Sequence, residues 1–330
     1  MSAKAQEFLF QRIKELLPPH VTLVDAIAGI LNLSSDSAYR RIRGETPMVL
    51  DEVSELCSHY NISLDQLLNI TSHSILFENV RVNSGNYDYI AYLKGMLAQI
   101  QYVQSFTHKN IIYLTKDIPV FHNFYDETLL AFRYFFWMKT IIHDRSFEQR
   151  KFDLNCVTPE IISLSRQITQ AYNCIPSTEI WNTECINSTI SQIEFYRESG
   201  YFSSVADIRA IYESLEKTML HLKDQVEYGS KFMPGENPET RKDNFSFFYN
   251  RVVLGNNTIL VTTDNTRIVF FNYEILHYMF TRDEGFCSAC NDDLKNQIKR
   301  ATLISQTGER HRNIFFGILL NKIRERKKYL

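Results

Sequence analysis

The chain has 330 residues, 44% apolar and 13% aromatic, with 36 Lys and Arg against 38 Asp and Glu. That length allows two or three domains and a sizeable core, and the composition excludes a disordered tail. A formal charge of −2 gives nothing in favour of bulk affinity for nucleic acid, so any such binding has to rely on a local basic cluster, at 40–43. Only 11 glycines, with helical spacing of apolar residues in most windows, predict a mainly α architecture. The opening MSAKAQEFLF lacks an apolar secretion-signal core. LLAFRYFFWM at 129–138 is too short to span a bilayer and carries Arg133. We therefore expect a soluble, cytoplasmic protein with no membrane partner. Six cysteines, at 57, 156, 174, 185, 287 and 290, are scattered as reduced thiols are and do not form a disulfide framework.

Residues 3–17 read as an amphipathic helix that buries Phe8, Leu9, Ile13, Leu16 and Leu17 and ends at Pro18-Pro19. A second helix over 24–31 turns its small Ala28 inward, where a steeply crossing partner helix needs room. Asn32 stands at the turn, as one of the few residues besides glycine that tolerate the left-handed conformation. The next helix opens at Ser34, Ser35, Asp36 and Ser37, carries Arg40, Arg41 and Arg43, and stops at Gly44. This is a helix-turn-helix pattern. Val53, Leu56, Cys57 and Tyr60 then form one helical stripe. NISLDQLL follows as a fifth helix, with Ser63 and Gln66 at capping-box spacing.

These residues resemble the Cro/C1 repressor, or Xre, type of helix-turn-helix protein over about residues 1–72. The family pattern places Ala, a Gly or Asn turn, a small buried residue and a stop Gly where this chain has Ala28, Asn32, Ala38 and Gly44. The chain departs from it at Asn32, where glycine is commoner, and at Asp36, where Gln or Thr is usual. The resemblance implies a five-helix lambda-repressor-like DNA-binding domain whose recognition helix reads the major groove with Ser35, Asp36, Ser37, Arg40, Arg41 and Arg43. Asp36 has three open roles: accepting from a cytosine amine, repelling phosphate or capping the helix. The implied function is a transcriptional regulator acting as a dimer on a palindromic operator, with double-stranded DNA as partner. Residues 1–72 hold six Lys and Arg against nine Asp and Glu, which makes a dimer necessary for tight binding.

Residues 73–88 read as a linker, and 89–330 as a mainly helical dimerisation domain that leaves room for a small-molecule ligand. Helices are predicted near 87–106, 122–143, 159–173, 178–199, 203–228, 273–281, 291–304 and 309–328, with a short strand in NIIYL at 110–114. GSKFMPGENPETRKDN at 229–244 reads as a loop. FSFFYNRVVLG, NTILVTT and TRIVFFN, near 245–272, predict a small antiparallel β-meander.

No catalytic constellation is visible, so neither enzyme activity nor a cofactor is expected. Cys287 and Cys290 form a lone CxxC without the further ligands a zinc site needs, and read as structural thiols. Nine histidines stand singly, none at metal or general-base spacing from a carboxylate. The basic end NKIRERKKYL reads as a solvated helix face. A second reading from another class remains: a protein–protein interaction or antitoxin-like module with a helix-turn-helix head.

Overall fold

A computed structural model describes residues 3–17, 21–60, 62–64, 75–80, 87–241, 243–252, 255–264, 266–273, 277–328 and 330. The chain divides into two compact units, Met1–Leu76 and Phe77–Leu330.

In the first unit, helices α1 (Ala3–Leu16), α2 (Leu23–Ile30), α3 (Ser35–Ile42) and α4 (Leu50–Tyr60) surround one core. Leu9, Phe10, Ile13, Ile27, Ala38, Met48, Val53 and Leu56 are buried in it. The inward face of α1 is not quite the expected one. Phe8 and Leu16 are 57% and 45% exposed, while Phe10 and the polar Gln6 face inward. Ile27 is the fully buried residue of α2, and Ala28 packs beside it half-buried. The fifth helix expected at NISLDQLL, with its Ser63–Gln66 cap, lies mostly outside the described residues.

The second unit is built on a sheet of order β1-β7-β6-β5-β2-β3-β4-β8. β2 (Lys109–Leu114), β3 (Ser177–Trp181) and β4 (Phe245–Tyr249) run parallel at its centre. Parallel neighbours need long crossovers, and helical segments supply them. Between β2 and β3 lie α6 (Glu127–Phe136) and α7 (Pro159–Asn173). Between β3 and β4 lie α8 (Asn187–Glu198) and α9 (Val205–Tyr228). β5 (Thr258–Thr263), β6 (Arg267–Asn272) and β7 (Tyr278–Thr281) extend one side antiparallel, to β1 (Glu78–Val80) at the edge. β8 (Thr302–Leu303) closes the other edge. Helix α5 (Tyr89–Gln104) precedes β2, and α10 (Glu284–Arg300) and α11 (Glu309–Lys327) flank β8 in sequence. One sheet face packs Ile112, Leu114, Leu260 and Val269 against Cys287 and Leu294 of α10. The opposite face joins the large aromatic core of α5–α9 and α11.

The sheet is therefore mixed and eight-stranded, not small and antiparallel. The expected meander is wrong at its first step. β5 and β6 do form a hairpin, but β4 leaves β5 and lies between β3 and β8. The helix expected at 178–199 begins as strand β3, and 278–281, expected as helix, is strand β7. Inside the expected linker, Glu78–Val80 pairs with Tyr278–Phe280. The segment expected as one helix at 122–143 is a short 3-10 turn (Val120–Phe124), α6, and a π turn (Trp137–Ile141). The break falls at Asp126, whose carboxylate caps α6.

At the centre of β3, Glu179 has no solvent exposure. Both its oxygens lie 3.0 Å from His122 Nε2, Tyr172 Oη donates at 2.6 Å and Trp181 Nε1 at 2.8 Å. Burial alone would raise this carboxyl's pKa, but His122, Tyr172 and the charge of Lys231 hold it below the ordinary 4.5. A depressed carboxyl pKa contributes stability in full above 4.5 and loses it as the pH falls through the folded value. Glu179→Gln should cost the protein about 3–5 kcal/mol in denaturant unfolding and flatten its acid dependence. A loss below about 1 kcal/mol would show that the network is dispensable.

Candidate nucleic-acid interface

The turn between α2 and α3 is built from backbone chemistry that the sequence specifies. Asn32 has φ +50°, and Leu33 N–H donates to Ala28 C=O at 2.9 Å, which closes the end of α2. Ser34 then caps α3, its hydroxyl accepting from Ser37 N–H at 3.3 Å. At the other end Gly44 has φ +76°. Gly44 N–H donates to Arg41 C=O and Glu45 N–H to Arg40 C=O, the paired bonds of a left-handed helix stop. Ala38 has no exposure and faces the core. The eight-residue helix is thus fixed at both ends and along its inner edge.

Its six candidate residues separate into two groups. Ser35, Asp36, Arg40 and Arg43 are exposed, whereas Ser37 and Arg41 are half-buried. Arg41 is turned back into the unit. Its Nε lies 3.0 and 3.1 Å from the two Glu52 oxygens, and Nη2 lies 2.6 Å from Oε1. Arg41 Nη1 also donates to Ser37 C=O at 3.3 Å. With side chains only 17% and 16% exposed, this forked pair is a clamp between α3 and α4. Glu52 also accepts from Val49 N–H at 3.2 Å, so one carboxylate caps α4 and anchors α3. The hydrogen bond to Arg41 holds the Glu52 pKa below its ordinary value and raises that of Arg41.

The two exposed arginines are paired only loosely. Arg40 Nε lies 3.3 Å from Asp36, with the pair 60% and 75% exposed, and Arg43 Nε lies 3.5 Å from Glu45. Such pairs are worth about 0–1 kcal/mol and exchange readily for another anion. Tyr39, 49% exposed, sits between them, with the Arg43 guanidinium 5.6 Å from its ring centroid. Sequence reading missed Tyr39, although its spacing from Ser35 and Asp36 places it on their face. Gln6 was missed as well. Only 3% exposed, it donates to the carbonyls of Arg41 (2.6 Å) and Thr46 (3.0 Å) and accepts from Met48 N–H (3.1 Å). One amide thereby ties α1 to α3 and to the segment that follows it.

Other candidates resolve differently. Burial pushes the thiol of Cys290 up to about 11 and raises that of Cys287, the opposite of redox activation. No group of three or more metal-binding side chains occurs among the described residues. The basic C-terminal run is engaged with the body, since Arg324 and Lys327 reach Glu216 at 2.6 and 3.0 Å. His122 does meet a carboxylate, Glu179, but 57 residues away in sequence and with no exposure on either side. Among the described residues no helix is long and apolar enough to cross a membrane.

The order α2, turn, α3 in the first unit is that of a helix-turn-helix. Residues 5–79 match the model of a family described as BetR domain, a helix-turn-helix-like DNA-binding domain family. The match covers less than a quarter of the chain. No curated protein and no solved structure matches the chain.

Glu52→Gln should remove the fork on Arg41 and destabilise the head by about 1.5–3 kcal/mol. Because the Glu52 pKa is depressed on folding, the wild-type advantage should be full above pH 4.5 and fade below it. Thermal melting of both proteins across that range checks the sign. An advantage that grows on acidification would contradict the clamp.

Proposed function

We propose that this chain is a Cro/C1-type, sequence-specific transcriptional regulator that binds double-stranded DNA as a homodimer on a palindromic operator in the cytoplasm. The carrying observation is the open face of α3, where Ser35, Asp36, Tyr39, Arg40 and Arg43 stand together on a helix pinned at both ends. The BetR match at residues 5–79 supports DNA-binding regulation. Head electrostatics support the dimer: with nine acids against six bases over residues 1–72, one head contributes little phosphate attraction, and two together double the contacts.

Within the head, Arg40 lies one turn beyond Asp36 and is the base-reading residue, while Arg43 at the helix end serves phosphate. Arg41, committed to Glu52, supports the helix and does not touch DNA.

Arg40→Ala should cost about 1–3 kcal/mol and relax preference at one base pair per half-site. Arg43→Ala should weaken all sequences alike and reduce the salt slope by about one per half-site. Selection of bound genomic fragments, repeated with each variant, separates these outcomes. Uniform loss in both variants removes the base-reading role of Arg40, and random recovery by the wild type removes the reading altogether. Sedimentation of the full chain should give a dimer, and a monomer at micromolar concentration would exclude that part of the proposal.

A further inference from the structure

Between α5 and one face of the sheet lies a cavity of about 540 Å³, within the range that holds small organic ligands. Its sheet wall is Ile111 and Tyr113 of β2, Ile259 and Val261 of β5, and Phe270 of β6. These residues alternate along their strands, so they share one face, and the register sets Tyr113 opposite Ile259 and Ile259 opposite Phe270. On the helix side stands Gly95, near the middle of α5. A mid-helix glycine costs about 1 kcal/mol against alanine, and close backbone packing usually explains it. Here, apart from its chain neighbours and the backbone of its own helix, no atom lies within 4 Å of where its Cβ would be. The missing side chain leaves space open and is not forced by a neighbour.

One end of this apolar chamber is polar. Arg133 lines it and is 5% exposed. Its Nε donates to Asn123 Oδ1 at 3.3 Å, and its two Nη atoms donate to Gln192 and Thr189. Asn123 and Gln192 line the cavity too, which places the guanidinium end at the wall. All three acceptors are neutral, and among the described residues no carboxylate lies within ion-pair distance. A guanidinium has five N–H donors, and three bonds leave two uncommitted. Burial pulls the pKa of Arg133 down to about 10, against the field of Asp117, so it is charged at neutral pH. A buried charge without a counterion is costly, and an entering anion would relieve that cost.

We propose that this cavity binds a small organic carboxylate, its head on Arg133 and its apolar body between α5 and the sheet. A monoanion suits the site better than a phosphate ester carrying about −1.5 to −2, because Asp117 shares the wall with the single buried cation.

The test uses the full chain without DNA, so its failure leaves the operator reading untouched. Straight-chain acids from butanoate to decanoate are each compared with the matching alcohol by thermal melting and tryptophan fluorescence. Trp137 lines the cavity and the other tryptophan, Trp181, has no exposure, so a change in emission reports occupancy. At the best chain length the acid should bind about ten- to a hundred-fold tighter than its alcohol. Arg133→Gln should remove that preference. Gly95→Leu, which fills the chamber from a position with free space, should weaken the acid at least as much while leaving the ligand-free melting temperature unlowered. If no acid outbinds its alcohol, or if Gly95→Leu leaves binding intact, the assignment is wrong, whether or not the Arg133 variant folds.

Discussion

The larger unit depends on a carboxylate placed where water cannot reach it. Glu179 lies in the middle strand of the parallel trio, and its charge is tolerable only while several separate segments remain in position. His122 comes from the turn before α6, Tyr172 from the last turn of α7, and Trp181 from β3 itself. Lys231 adds its charge from the chain after α9, its ammonium held by the carbonyls of Tyr172 and Ile175 at 2.9 and 2.7 Å and lying 3.7 Å from the Tyr172 ring centroid. A hydrophobic residue at 179 would pack without obligation to any of them. The buried acid instead makes the approach of both crossovers all-or-none, because each lost donor leaves an unpaired group in a medium of low dielectric.

In the smaller unit the same physics is used in a milder form. Arg40, Arg41 and Arg43, on and at the end of α3, each have an acid within 4 Å, but the energies differ with exposure. The Arg41–Glu52 fork is shielded and fixed, so it sets where α3 lies on α4. The Arg40–Asp36 and Arg43–Glu45 pairs stand in water, where screening makes them nearly neutral in free energy. Acid beside these two exposed arginines therefore lowers the general attraction of this surface for anions while leaving each guanidinium free to exchange partners.

How much of this was legible in the sequence follows from the range of each signal. Asn32, Ala38 and Gly44 act on their own turn of chain, and the left-handed angles and the burial they predict are all present. NIIYL was legible as strand β2 because its apolar residues are continuous and β-branched. STEIW was not, since Glu179 interrupts the apolar run and the residues that accept it lie 7 and 57 positions away. Pairing suffered most. β4 and β5 are neighbours in sequence, and the expected meander followed from that, yet β4 is claimed by β3 from across a long helical crossover. The Arg41–Glu52 fork was not legible either, because Glu52 lies eleven residues on, outside any helical period.

The buried cations of the larger unit show why Arg133 stands apart. Lys231 has two carbonyls and the field of Glu179. Arg312, 3% exposed, donates to the carbonyls of Ile304 and Gln306 and lies 3.7 Å from Glu227. Each is balanced by an acid and by backbone dipoles, as expected for a cation retained for folding. Arg133 has the field of Asp117 but, among the described residues, no backbone carbonyl and no carboxylate at ion-pair distance; it donates to two amides and a hydroxyl, beside a chamber open enough to admit more. Were its role only structural, a leucine or methionine of similar reach would fill the same space without the cost of a buried charge. The charge gains a purpose once an anion is allowed to complete it.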